Sequence, residues 1–137
     1  MTYTYQNLSK VLAGFALISF AAHASSALVI FQGSWDDQVA ILFRIAGVLY
    51  YIFACFAIVG MWFLRLWGYI SFYLYVILGT YLMGFSILPF IPTVFPLEAK
   101  FWPVMIINLL SVILVGWINW NIVKENRIYR DGQMLPK

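Results

Sequence analysis

The sequence predicts an all-α integral membrane protein: four transmembrane helices in an up-down-up-down bundle with both termini cytoplasmic. Three observations point there. Of the 137 residues, 64% are hydrophobic and only 9% charged, against about 45–50% apolar and about 25% charged in soluble domains. Residues 45–64 and 66–88 are uncharged runs of 20 and 23 residues separated by Arg65 alone, each long enough to cross about 30 Å of hydrocarbon at about 1.5 Å per residue. The basic residues are also divided unevenly between the two sides that four spans define.

The spans fall at about residues 11–31, 40–63, 66–88 and 102–123, forming a single domain with a short basic tail over 124–137. What is left between them is too short to build a soluble core, which excludes a separate catalytic domain. Function is therefore expected inside the membrane or at its surfaces.

The first span opens after Lys10. With the apolar core 11–20 and the small residues around His23, its start resembles a secretory signal peptide. Because the apolar run continues through Phe31 to full bilayer length, a retained span is expected. The link that follows holds Gly33, Ser34, Asp36 and Asp37, turn and capping types, and one of the two aspartates is expected to cap the second helix. Arg44 lies two turns into that helix, either snorkelling to the surface or facing inward as a cation.

The second and third spans meet at a tight turn, with Trp62 and Trp67 at the level of an aromatic belt and Arg65 within reach of lipid headgroups. Pro89, Pro92 and Pro96 end the third helix, since proline cannot donate a backbone hydrogen bond. The apolar segment 89–101 is left as either a lid or a surface anchor. Pro103 suits the first turn of the fourth helix. Beyond it Lys124, Arg127 and Arg130 recur every three residues, a basic stripe for anionic headgroups.

Four spans place Lys10, Arg65, Lys124, Arg127, Arg130 and Lys137 on one side and only Arg44 and Lys100 on the other. By the positive-inside rule both termini are cytoplasmic, and the membrane expected is a bacterial inner membrane.

Helical spacing gives each span a face of small or polar residues: Ser19, Ala22, His23 and Ser26 in the first, Arg44, Gly47, Tyr51 and Cys55 in the second, Tyr73, Thr80 and Gly84 in the third, and Asn108, Ser111, Val115 and Asn119 in the fourth. Such faces mark helix contacts. At about 1.5 Å per residue, His23, Thr80 and Asn108 lie about 10–12 Å below the outer surface and Arg44 nearer to it. A ligand-binding cluster of His23, Arg44, Tyr51, Thr80, Tyr81 and Asn108 follows. The competing expectation is that the same groups are interhelical hydrogen bonds holding the bundle.

No catalytic residue, metal or cofactor is expected. His23 is the only histidine and Cys55 the only cysteine, so one chain offers neither paired haem ligands nor a metal-ligand cluster. No Asp or Glu lies in a span, which removes the usual proton or cation carrier. In size and span number the chain is similar to the small multidrug-resistance transporters, but where those carry a membrane-buried glutamate the first span here offers His23.

The function expected is a small non-catalytic subunit that packs against and stabilises or regulates a larger membrane complex. Its partners would be the lipid bilayer and other membrane chains, or further copies of itself, and not nucleic acid. The alternative is a stand-alone binding or transport protein for a quinone-like or lipid-like ligand, using the outer polar cluster and the aromatics of the central hairpin.

Overall fold

The computed structural model describes residues 2–32, 38–96 and 98–133. Among the described residues the chain is all-helical, with no strand. Helix α1 spans Thr2–Gln32, α2 Gln38–Trp62, α3 Leu66–Leu78, α4 the single turn Ile91–Val94, and α5 Phe101–Gln133. Three of these, α1, α2 and α5, are long and apolar enough to cross a membrane.

Neighbouring helices run antiparallel. Ser9 of α1 meets Met61 at the end of α2, and further along Tyr51 of α2 donates to the His23 carbonyl of α1. Gly60 faces Gly68 across the α2 to α3 turn, Thr80 faces Asn108 of α5, and Tyr5 of α1 meets Trp117 edge to face. Helix α2 packs most extensively on α3 and then on α1, while α5 lies more lightly against α1 and α3.

Small side chains set the closest approaches. Ala13, Ala16, Ala54 and Ala57 are all at most 1% exposed. Without a hydrophobic driving force between helices in lipid, such residues let backbones come into van der Waals contact. Larger plugs, Tyr50, Met61, Tyr69 and Phe72, fill the remaining interior.

The α2 to α3 turn closes as a Schellman motif. Arg65 N donates to Gly60 O at 2.7 Å and Leu64 N to Met61 O at 3.2 Å, the paired bonds that satisfy the last carbonyls of a helix. Its left-handed position is held by Leu64, at φ 56°, where glycine is the usual residue. Ser9 secures this end from α1: its hydroxyl donates to Met61 O at 3.1 Å and lies 2.9 Å from the Tyr69 hydroxyl. Ser9→Ala is expected to lower stability by about 1 kcal/mol, read from denaturant unfolding in detergent. The cost should be smaller in a Tyr69→Phe background, as for two groups that share one bond.

Two expected features differ. The third helix does not run to Leu88: α3 passes into a π-turn, Gly79–Met83, and stops where Gly84 takes a left-handed conformation at φ 62°. The cause is a glycine in the C′ position with Pro89 soon after, the usual pair of stop signals. The inward faces also differ in part. Ser19, Arg44, Gly47, Thr80, Asn108, Ser111 and Val115 are buried, whereas Ala22, Cys55 and Gly84 are exposed. The inner stripe of α2 is Ala46, Tyr50, Ala54, Ala57 and Met61, one residue round from the stripe expected through Tyr51 and Cys55. Asp36 and Asp37, with the capping role expected of them, lie outside the described residues.

Candidate functional site

Residues 84–88, between the π-turn and Pro89, organise the polar interior. Non-helical backbone that is buried must find its hydrogen bonds inside the protein. Here other parts of the chain provide them. Phe85 N donates to Gly79 O at 2.8 Å, and Asn108 of α5 serves both sides of the segment: its Oδ1 accepts from Ile87 N at 2.9 Å and its Nδ2 donates to Phe85 O at 2.8 Å. The other Nδ2 hydrogen goes to Thr80 Oγ1 at 2.7 Å, and Thr80 passes its own proton to Val76 O at 2.7 Å. From α1, Ser19 donates to Ser86 O at 2.9 Å. Ser86 Oγ in turn accepts from Leu88 N at 3.2 Å. Both amide hydrogens and the carbonyl of Asn108 are thus engaged, and it stands in for a neighbouring strand or helix turn.

His23 borders the segment from α1. Its Nδ1 lies 2.8 Å from Ser19 O; a carbonyl can only accept, so Nδ1 carries the proton. The ring stacks on Phe85 at 4.0 Å between centroids. Tyr50 meets Phe85 from another side at 5.4 Å, Tyr75 at 4.9 Å and Tyr51 at 5.1 Å. Gly79 makes room for it, as a Cβ there would come within 2.9 Å of the Tyr50 ring. Phe85 therefore plugs an aromatic ring of α1, α2 and α3 side chains.

Of the six residues expected to form a ligand site, Thr80 and Asn108 are joined directly, His23 and Tyr51 are joined to each other, and the two pairs meet through residues 85 and 86. Arg44 is buried at 3% exposure, two turns along α2 from Tyr51. Tyr81, in the π-turn, is 70% exposed and lines, with Thr80 and Asn108, a groove of about 210 Å³ between α3 and α5. The enclosed space among Tyr50, Tyr75, Gly79, Phe85 and Asn108 is about 10 Å³, room for about one water.

Three contributors were not expected at this place: Ser86, Phe85 and Tyr50. For Ser86 and Phe85 the signal was the Gly84 to Pro89 spacing, which marks a helix end inside an uncharged run. Of the headgroup-binding cations, Arg65 and Lys124 are exposed, while the side chains of Arg127 and Arg130 lie outside the described residues. Among the described residues no three His, Cys, Asp or Glu side chains gather as metal ligands. Comparison with protein families, with characterised proteins and with solved structures finds no match.

Proposed function

We propose that this chain is a small non-catalytic integral membrane subunit that packs against a larger membrane complex and stabilises or regulates it. One observation carries the proposal: the polar atoms of Asn108 and Thr80 are engaged by the chain's own backbone and by each other. Recognition is then left to the outer faces. On α5, Trp102, Leu110, Ile113 and Trp120 are 58–71% exposed, an apolar and aromatic face of the kind that packs at the centre of protein interfaces. In the proposed arrangement both termini are cytoplasmic, because Lys10, Arg65 and Lys124 share one end of the bundle.

The test is native mass spectrometry of the tagged protein extracted from its own membrane in mild detergent. Stoichiometric foreign chains, lost on Trp120→Ala or Ile113→Ala, are expected; a monomer or homo-oligomer alone would overturn the subunit assignment. If the cluster instead binds a small amphipathic ligand, His23→Ala abolishes that binding while the folded yield stays at the wild-type level. Equal loss of folded yield would reject the ligand site.

A further inference from the structure

The α2 to α3 turn combines charge and an apolar groove. Because Ser9 is bonded to Met61 and Tyr69, the next residue, Lys10, stands at this turn, its ammonium 5.9 Å from the centre of the Trp62 ring. Arg65 is exposed at the turn itself. Two residues on, Trp67 opens a groove of about 430 Å³ that runs along the outer face of α2 past Val59, Phe56, Cys55 and Ile52 to Tyr51. Phe56 and Trp67 form one wall, edge to face at 5.8 Å. From Val59 to Tyr51 the groove covers about 12 Å of helix.

The two halves call for one occupant. A cation at the groove mouth attracts an anion, and Trp67 lies where an indole meets the boundary between headgroup and acyl chain. Beyond it the lining is apolar except for the Cys55 thiol and the Tyr51 hydroxyl, and the latter is turned to the His23 carbonyl. A polar or peptidic ligand would find little there to satisfy its backbone, whereas a hydrocarbon chain needs nothing but contact. We infer that the turn binds one anionic phospholipid, its phosphate at Arg65 with Lys10 supporting, and one acyl chain lying from Trp67 to Tyr51. This rests on α2 and α3 being in the bilayer and is independent of whether the chain is a subunit.

The experiment is native mass spectrometry of the purified full chain titrated with phosphatidylglycerol or phosphatidylcholine of matched acyl chains. Wild type should retain one phosphatidylglycerol about fivefold more than phosphatidylcholine, the ratio that about 1 kcal/mol from one arginine provides. Arg65→Gln should bring the two lipids level, and Val59→Trp, which fills the groove without touching charge, should lower retention of both. Helix content by circular dichroism establishes that each variant is folded, and Ile52→Trp replaces Val59→Trp if that variant is not. Equal retention of the two lipids by wild type, or wild-type retention in either variant, would overturn the site. So would a protein chain bound in place of lipid and released by both substitutions.

Discussion

Gly68→Ala should be among the most damaging single-methyl substitutions in this protein. A Cβ at Gly68 would come within 2.3 Å of Gly60 C and 2.5 Å of Met61 N, and one at Gly60 would come within 2.3 Å of Gly68 Cα. These neighbours are backbone atoms of a helix and cannot rotate away as a side chain would. The helices must separate, which breaks the alanine contacts further along α2 and strains the Schellman turn above. We expect a loss of about 3 kcal/mol, the upper end for overpacking, from either Gly60→Ala or Gly68→Ala. The two together should cost less than their sum, because one separation accommodates both. Reversible unfolding in mixed micelles checks this; a change under 1 kcal/mol would mean that the crossing is looser than described.

Asn108→Leu is expected to have a comparable effect for a different reason. It keeps the volume but strands Ile87 N–H and Phe85 C=O in an apolar interior, at about 1–3 kcal/mol for each unsatisfied group. Model peptides give interhelical hydrogen bonds in membranes only about 1–2 kcal/mol, and measured cycles less, because the unfolded chain in lipid also finds partners. A backbone amide outside a helix has few such partners, so the higher figure applies, and we expect about 3 kcal/mol in all. Asn108→Asp is the informative companion. It can still accept from Ile87 N–H, but even as the neutral acid it has one hydrogen where the amide has two, so it cannot serve both Phe85 O and Thr80 Oγ1 and should restore stability only in part. If Asn108→Asp matched wild type, the second of the two donated bonds would be of no consequence.

The fold was legible in outline because hydrophobic length is a strong signal. The uncharged runs on either side of Arg65 announced a hairpin, and the structure has one, closed at Leu64. The Thr80 and Asn108 juxtaposition followed from depth alone. What could not be read was which way the small residues face. In a soluble helix, water on one side and core on the other separate the residue types, but lipid is as apolar as the bundle interior. Ala22 and Cys55 suit either side, and they lie outside. Tyr81, one residue from Thr80, is 70% exposed and shares a groove with Thr80 and Asn108. The end of α3 was written in Gly84 and Pro89, yet absence of charge through Leu88 hid it, because a broken helix buried in protein needs no charged residue to mark it.

That break has a consequence for how the chain is made. The peptide groups at 85 and 87 are completed by Asn108, 21 residues after Ile87, on a helix that is synthesised later. Until α5 is made, those groups lack the side chain that completes them. The first three helices therefore complete their polar interior only when the last one docks. The last helix acts as a latch on the end of the third.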